Sequence, residues 1–196
     1  MPPLYVSDFA AGLVFWSLFM GWWLAELATY IRLRSRSSTR SRDRGSRLVL
    51  IAGYWLAILG AFAFAFAMPS ATIRWHRDIS FYVGAGMMLG GLLLRQYAIV
   101  TLGRLHTLDV TTGAGQPVVE SGPYRWVRHP SYTGAMLTAA GILLCSTNWL
   151  SLACYVLVLG AYAFRIWVEE DALAEDLGEP YRAYMRRTKR LIPYLI

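Results

Sequence analysis

Residues 131–168 read SYTGAMLTAAGILLCSTNWLSLACYVLVLGAYAFRIWV, two apolar stretches separated by little more than Thr147 and Asn148. A helix needs about 20 residues to cross the hydrocarbon of a bilayer, and the second stretch, residues 149–168, has that length. The first, residues 131–146, is shorter, so we expect it to be tilted or shielded by its neighbours. Because the connection is so short, the two helices should form a tight antiparallel hairpin.

Three further apolar stretches precede the hairpin, at residues 9–31, 48–68 and 79–100. The chain of 196 residues is 56% hydrophobic and 16% charged, whereas about a quarter of the residues are charged in a typical soluble domain. This composition predicts one all-α integral membrane domain with about five transmembrane helices. Cys145 and Cys154 lie in apolar surroundings and are interpreted as small buried side chains. The three histidines are too scattered to predict a metal site.

The basic residues are distributed unevenly along the chain. Residues 32–47 contain seven arginines and one acid, whereas residues 69–78 contain two arginines. Since cytoplasmic loops are enriched in arginine and lysine, residues 32–47, residues 95–130 and the tail from Arg165 are predicted to be cytoplasmic. The net charge of +7 therefore reflects membrane topology and contact with anionic lipid. Nucleic-acid binding is disfavoured, because these arginines lack interleaved aromatic residues.

The tail after the last apolar stretch is amphipathic. Residues 169–179, EEDALAEDLGE, hold six of the twelve acidic residues of the chain. Gly178 and Pro180 are typical of a helix end followed by a new helix start. One helical face is marked by side chains spaced three or four residues apart, namely Leu173, Leu177, Tyr181, Tyr184 and Thr188. The tail is therefore predicted to form two short cytoplasmic amphipathic helices.

The candidate functional residues come from the loop before the hairpin and from its far end. The loop, residues 101–130, is long for a compact domain and ends in GPYRWVRHPSYTG, residues 122–134. Pro130 can begin the fourth helix, which places His129 near its positive end, where a polar ligand fits. Arg165 and Glu169 share one face of the fifth helix, where they can pair or grip a ligand. The hairpin brings both groups to one side of the membrane, facing one cavity.

Each polar residue also has a purely structural interpretation. We expect Arg125 to be a membrane anchor, Trp126 an interfacial aromatic residue and Asp171 part of a solvated acidic face. Taken alone, His129 is interpreted as a helix cap. Arg95 is expected to extend to the cytoplasmic interface. Glu26 is expected to pair with another helix, and Asn148 is expected to have a structural role. Gly86 and Gly90 are expected to allow close packing of helices.

The motifs of the second half resemble the isoprenylcysteine carboxyl methyltransferase family, whose core is shared by phospholipid N-methyltransferases. The resemblance rests on GPYRWVRHPSYTG and on RIWVEEDALAEDLGEPYRAYMRRTKRLIP, residues 165–193. It extends upstream through LLLRQYAIVTLG and QPVVESGPY, and so covers residues 92–193. The loop TTGAG, residues 111–115, departs from the family pattern, and with it the cofactor contact expected near Thr111.

The resemblance implies a membrane methyltransferase that uses S-adenosyl-L-methionine at its cytoplasmic side. Arg165 would face the substrate, with Glu169 beside it. The residues implied to line the cofactor are Gln116, Pro117, Val118, Val119, Tyr124, His129, Pro130, Ser131, Tyr132, Glu169 and Glu170. The chain is then divided into N-terminal spans, 1–78, and a catalytic core, 79–196. The parts of that core are the cofactor loop, 101–130, the hairpin, 131–168, and the C-terminal helices, 169–196.

Three functions are compatible with these features. The first is carboxyl O-methylation of an isoprenylcysteine or another lipophilic acid, because an arginine suits a carboxylate and a membrane enzyme suits an apolar chain. The second is N-methylation of a phospholipid or lipid amine. The third is a non-catalytic membrane scaffold or binding protein for a lipophilic ligand, which would have no reason to keep His129, Tyr132 and Glu169 together.

Overall fold

The computed structural model describes residues 1–34, 43–105 and 117–193. Its helices in chain order are α1 (Leu4–Ser7), α2 (Phe9–Arg34), α3 (Ser46–Ala67), α4 (Arg77–Leu102), α5 (Pro130–Cys145), α6 (Trp149–Ala153), α7 (Tyr155–Asp176) and α8 (Glu179–Arg187). Short 3₁₀ turns occur at Pro69–Ala71, Gly103–Leu105 and Gly122–Arg125. Within the described ranges, the segments long and apolar enough to cross a membrane are Phe9–Leu33, Ser46–Ala67, Arg77–Leu102 and Trp149–Asp176. Together with the shorter apolar α5, they confirm the predicted all-α membrane fold.

The last membrane helix extends further than expected. Only Cys154 separates α6 from α7, and α7 continues through the acidic segment to Asp176. No glycine or proline interrupts this segment before Gly178, which has a φ of +62° that suits a residue without a side chain. The structure therefore differs from the prediction of two short helices in the tail. The acidic segment prolongs α7, and α8 follows it.

Helix α5 packs most extensively against α4, through glycines spaced seven residues apart on both helices. A Cβ atom placed on Gly91 would lie 2.5 Å from the carbonyl oxygen of Gly134. A Cβ atom placed on Gly141 would lie equally close, 2.5 Å, to the carbonyl oxygen of Gly84. Such an approach of two backbones is possible only where both helices lack side chains, and small residues commonly mediate helix packing in lipid.

The predicted packing role of Gly86 and Gly90 was wrong. Among the residues that the structure describes, a Cβ atom placed on either glycine would meet no atom within 4 Å. Both lie on a face of α4 other than the one that Gly84 and Gly91 present to α5. The sequence identified the correct helix and the correct residue type, but the contact face depends on the glycines of the partner helix.

Asn148 fixes the turn between α5 and α6. Its side-chain oxygen accepts hydrogen bonds from the backbone N–H groups of Leu150 at 2.9 Å and Ser151 at 3.2 Å. Its amide nitrogen donates to the carbonyl oxygen of Met68 at 2.9 Å, which ties the turn to the end of α3. Thr147 adopts a positive φ of 47° to make the turn. The predicted hairpin and the structural role of Asn148 are confirmed.

The two arms of this hairpin pack against different helices, α5 against α4 and α7 against α3. Between them and α2 the core contains fully buried side chains such as Phe15, Phe81 and Ile142. Since lipid tails are as apolar as these side chains, close packing rather than exclusion of water holds the helices together. Away from the Asn148 turn the arms leave room for a cavity.

The segment after α8 pairs with the loop that leads into α5. The backbone N–H of Arg128 donates to the carbonyl of Lys189 at 2.8 Å, and that of His129 donates to the carbonyl of Arg190 at 3.0 Å. The hydroxyl of Tyr184 donates to the carbonyl of Tyr124 at 2.6 Å. These bonds fix the start of α5 at the same end of the molecule as the acidic end of α7.

Candidate functional site

His129 immediately precedes α5, which begins at Pro130, a residue suited to the first helical position. The imidazole is buried but makes no capping hydrogen bond. Its Nε2 atom lies 3.3 Å from Oε1 of Glu170, and its ring stacks on that of Tyr132 with the ring centroids 5.3 Å apart. The interpretation of His129 as a helix cap was therefore wrong, since its side chain joins the start of α5 to α7.

Glu170 binds basic groups from two parts of the chain. Nε of Arg128 donates to Oε1 at 2.8 Å, and Nε of Arg190 donates to Oε2 at 2.9 Å. Its side chain is only 4% exposed, so the carboxylate needs these cations to offset the loss of hydration. The described contacts give Glu170 a structural role between α5, α7 and the tail. Its contact with a cofactor stays a prediction.

Tyr132, Arg165 and Glu169 form one contiguous polar group between α5 and α7. The hydroxyl of Tyr132 donates to Oε2 of Glu169 and accepts a hydrogen bond from Nε of Arg165 at 3.2 Å. Nε of Arg165 also lies 4.0 Å from Oε2 of Glu169, as expected for residues four apart on a helix. The two ends of the hairpin therefore meet, and the predicted substrate and cofactor residues are in direct contact.

Arg165 also contacts the N-terminal half of the chain. Its Nη1 atom donates to Oδ1 of Asp43 and, at 2.8 Å, to Oγ of Ser46 at the start of α3. The arginine side chain is 5% exposed, and a buried cation is tolerated only with partners of this kind. Asp43 and Ser46 were not expected at the site, because the basic loop that contains them was interpreted as a topology signal and a contact for anionic lipid.

Arg95 does not extend to the membrane interface, contrary to expectation. Its Nη2 atom donates to Oε2 of Glu26 at 2.8 Å, and its Nη1 atom donates to Oγ of Ser131 at 3.0 Å. A carboxylate on the facing helix α2 offsets the cost of keeping the guanidinium inside the bundle. The predicted pairing of Glu26 with another helix is confirmed, and the pair holds Ser131 at the start of α5.

A cavity of about 370 Å³ lies between α2, α3, α4, α5 and α7. Its apolar wall comes mainly from the N-terminal half and includes Trp22, Trp23, Leu27, Leu50, Ile51 and Trp55. Its polar lining includes Glu26, Arg95, Tyr132 and Arg165. The arrangement suits a molecule with a long apolar part and a polar head. Glu26 was the residue of α2 from which this wall of the cavity could have been suspected, because acidic residues inside membrane helices are usually functional or paired.

The loop before α5 supplies the remaining predicted cofactor residues. Gln116 and Thr111 lie outside the described residues. Residues 117–119 belong to no helix or strand and are partly or fully exposed, whereas Tyr124 is buried. Burial raises the pKa of the Tyr124 phenol, and the nearby negative charge of Glu169 raises it further. Tyr124 therefore lies in the electrostatic field of the Tyr132–Glu169 group.

Arg125, Trp126 and Asp171 lie at the surface of the molecule, and the membrane-anchor and interfacial roles expected of Arg125 and Trp126 stay predictions. Arg125 lies over the ring of the exposed Trp126, with its guanidinium carbon 4.7 Å from the ring centroid. Asp171 forms a 3.0 Å ion pair with Arg44, and both side chains are about half exposed. An ion pair as exposed as that of Asp171 and Arg44 contributes little stability.

The second half of the chain, which supplies His129, Tyr132, Arg165 and Glu169, is similar in sequence to known proteins. Residues 84–175 match the model of the isoprenylcysteine carboxyl methyltransferase (ICMT) family. A probable protein-S-isoprenylcysteine O-methyltransferase of Oryza sativa subsp. indica is 32% identical over 117 residues, 58% of this chain and 61% of that protein. The protein-S-isoprenylcysteine O-methyltransferase of Schizosaccharomyces pombe is 29% identical over 188 residues, 86% of this chain and 78% of that protein.

The chain spans 61% of the length of the rice relative, so the similarity covers part of that protein. Among solved structures, a eukaryotic intramembrane Ras methyltransferase, isoprenylcysteine carboxyl methyltransferase, superposes with a TM-score of 0.54 at 24% identity. The superposition covers 76% of this chain and 52% of the other. At this identity the likeness shows a shared intramembrane fold.

Proposed function

We propose that the protein is a membrane enzyme that methylates a lipophilic carboxylate, on the premise that residues 84–175 match the model of the isoprenylcysteine carboxyl methyltransferase family. The acceptor is an isoprenylcysteine or another acid with a long apolar chain. The observation that carries this proposal is the buried Arg165, a cation at the polar end of a cavity with an apolar wall.

The methyl donor in this proposal is S-adenosyl-L-methionine, which supplies a methyl group on a sulfonium cation. A carboxylate flanked by aromatic rings suits such a cation, and Glu169 lies beside the ring of Tyr132, on which His129 stacks. The described residues therefore fit the group. The other residues proposed to hold it are Gln116, Pro117, Val118, Val119, Tyr124, Pro130, Ser131 and Glu170.

Arg165 is proposed to orient the acceptor. A carboxylate is already ionised at neutral pH, so its methylation requires alignment and no general base. The guanidinium is held at Nε by Tyr132 and at Nη1 by Asp43, which fixes its plane before an acceptor enters. In a cavity of low dielectric constant its attraction for a carboxylate is stronger than in water.

A lipid amine is a less suitable acceptor. An ammonium group must lose a proton before it can be methylated, and Arg95 and Arg165 both line the cavity and repel a cation. The carboxylates of Glu26 and Glu169 are already paired with those arginines or with Tyr132. The polar lining therefore favours an anionic head group.

The proposed site faces the cytoplasm. The described contacts put His129, Arg165 and the segment from Asp43 at one end of the bundle. Seven of the arginines lie in the adjoining residues 32–47, and the opposite end carries Arg74 and Arg77. An excess of arginine marks the cytoplasmic side of membrane proteins.

A turnover screen tests the proposal. Purified protein is incubated with methyl-labelled S-adenosylmethionine and, separately, with a farnesyl-cysteine analogue, a fatty acid and phosphatidylethanolamine. We expect label in the farnesyl-cysteine or fatty-acid product, released as volatile methanol by base because the product is a methyl ester. Label that resists base, found in phosphatidylethanolamine, would identify an amine methyltransferase. If the protein neither methylates any of these acceptors nor binds S-adenosylmethionine, the remaining interpretation is a non-catalytic membrane protein.

A further inference from the structure

Asp43 lies where the loop between α2 and α3 meets the proposed acceptor site. Its Oδ1 atom accepts hydrogen bonds from Nη1 of Arg165 and, at 2.9 Å, from the hydroxyl of Ser46. Its Oδ2 atom accepts from the backbone N–H of Arg47 at 3.0 Å. Ser46 in turn accepts from Nη1 of Arg165 at 2.8 Å, which closes a triangle of three side chains.

The triangle is built into the start of α3. Arg47 is the second residue of that helix, and its N–H has no partner within the helix, so a carboxylate there satisfies it. The positive end of the helix dipole also favours an ionised Asp43. Ser46 is completely buried, and the Asp43 side chain is 14% exposed. Asp43 is thus fixed on the helix side independently of Arg165.

The fixed carboxylate orients the guanidinium. One side of Arg165 is bound to Asp43 and Ser46 through Nη1, and the other to Tyr132 through Nε. Tyr132 continues the connection to Glu169. A rotation of the guanidinium would break charge-assisted hydrogen bonds at both sides, so the group retains one orientation at the cavity.

We infer that Asp43 is a positioning residue of the methyl-transfer site, which holds Arg165 in the orientation that receives the acceptor carboxylate. The inference rests on the proposed function. It extends the site into the N-terminal half, which lies outside the residues matched to the family. The start of α3 therefore completes a site whose other groups come from α5 and α7.

The substitution Asp43→Asn tests this role without removing the cap of α3. The single side-chain oxygen of asparagine can still accept from the backbone N–H of Arg47, so the cap of α3 is preserved. The amide NH2 then faces Ser46 and Arg165, and Arg165 loses the charged hydrogen bond to position 43. We expect the kcat for a carboxylate acceptor to fall about ten- to a hundredfold, the cost of one charge-assisted hydrogen bond. The affinity for S-adenosylmethionine, measured by titration, should change less than about twofold.

Asp171→Asn is the matched control, because it also breaks an aspartate–arginine pair, that with Arg44. That pair is half exposed and has no described contact with Arg165, so we expect wild-type turnover. A normal kcat for Asp43→Asn would overturn the inference. A lower acceptor KM with undiminished kcat would also overturn it, since Asp43 would then compete with the acceptor for Arg165.

A thermal double-mutant cycle separates this inference from the proposed function. Asp43→Asn, Arg165→Lys and the double variant are melted in detergent, and contacting groups should give a combined fall in Tm smaller than the sum of the single falls. If the Tm shifts are additive and Asp43→Asn turns over normally, the positioning role of Asp43 is refuted and the proposed methyl transfer is retained. If the Tm shifts are non-additive but the protein methylates no acceptor, the contact between Asp43 and Arg165 is supported and the proposed methyl transfer is refuted.

Discussion

At the scale of single residues, the arrangement depends on a cation that is fixed before any ligand binds. Arg165 has two of its nitrogens hydrogen-bonded to side chains of Asp43, Ser46 and Tyr132. A side chain that is already ordered loses little further conformational entropy when a partner arrives. The same bonds offset the desolvation of the guanidinium, which would otherwise oppose its burial.

Replacing Arg165 by alanine should separate acceptor chemistry from cofactor binding. We expect turnover of a carboxylate acceptor to fall at least about a hundredfold, because a charge-assisted contact to the reacting group is lost. The affinity for S-adenosylmethionine should remain within about threefold of wild type. Steady-state kinetics and an independent cofactor titration measure the two quantities. Equal losses of both would contradict the separate roles of Arg165 and Glu169.

Glu169→Gln should show the opposite pattern. The neutral amide keeps the size of the side chain but removes the negative charge beside Tyr132, so we expect about ten- to a hundredfold weaker binding of the cationic cofactor. Isothermal titration of the purified protein measures this affinity. Glu179→Gln is the control, because its 2.6 Å pair with Arg186 is exposed. Unchanged affinity in Glu169→Gln would exclude this carboxylate from the cofactor site.

At the scale of secondary-structure elements, the contact between α4 and α5 determines where the site residues lie. The two helices approach so closely that an added Cβ atom on Gly91 would overlap the backbone of Gly134. This contact fixes the position of α5 along its own axis, and with it the positions of His129 and Tyr132 relative to α7. Displacement of α5 would therefore move the Tyr132 hydroxyl away from α7.

Gly91→Ala should destabilise the protein, with Gly86→Ala as a matched control on the same helix. The new methyl group at position 91 would lie 2.5 Å from atoms of Gly134 and Thr138, and overpacking of this kind costs about 1–3 kcal/mol. At position 86 no atom of the described part of the chain lies within 4 Å of the added methyl group, so alanine should leave the Tm unchanged or slightly raised. Thermal melts in one detergent compare the variants. Equal stability of the two would contradict the close contact.

The membrane helices were predictable from the sequence, because the thickness of the bilayer sets the number of consecutive apolar residues that a spanning helix needs. The hairpin followed from the short Thr147–Asn148 connection. By contrast, the partners of Arg95 and the contact face of α4 depend on which helix lies opposite. Neither property is encoded by the spacing of residues along one helix. The continuation of α7 into the acidic segment was missed because a change of composition was taken for a helix end.

Within the site, the motif residues from His129 to Glu169 were predictable because they lie at the two ends of one hairpin. The structure brings His129, Tyr132, Arg165 and Glu169 together, as the sequence indicated. The contributions of Asp43 and of the cavity wall were not predictable. They come from helices distant in the chain, and their residue types are ordinary for a basic loop and a membrane span.

At the scale of the whole molecule, the pair of Glu26 and Arg95 joins the N-terminal spans to the family-matched core. Glu26→Gln would leave a largely buried guanidinium without its counter-charge. We expect this change to destabilise the protein by about 3 kcal/mol, at the low end for a broken buried pair because Glu26 is partly exposed. The Tm in detergent measures the effect.

The double variant Glu26→Gln with Arg95→Gln provides the control for that experiment. Replacing both charges removes the unpaired cation, so the double variant should recover part of the Tm lost by Glu26→Gln alone. Purely additive falls in Tm would show that the two side chains do not act as a pair.

The shortness of α5 affects how the protein sits in a bilayer. Its 16 residues span about 24 Å, whereas the hydrocarbon of a membrane is about 30 Å thick. At one end the Asn148 turn is tied to the end of α3, so the deficit falls at the end that carries His129 and Tyr132. A molecule reaching Tyr132 must therefore bring its head below the level of the lipid headgroups, or the leaflet must thin locally to meet it.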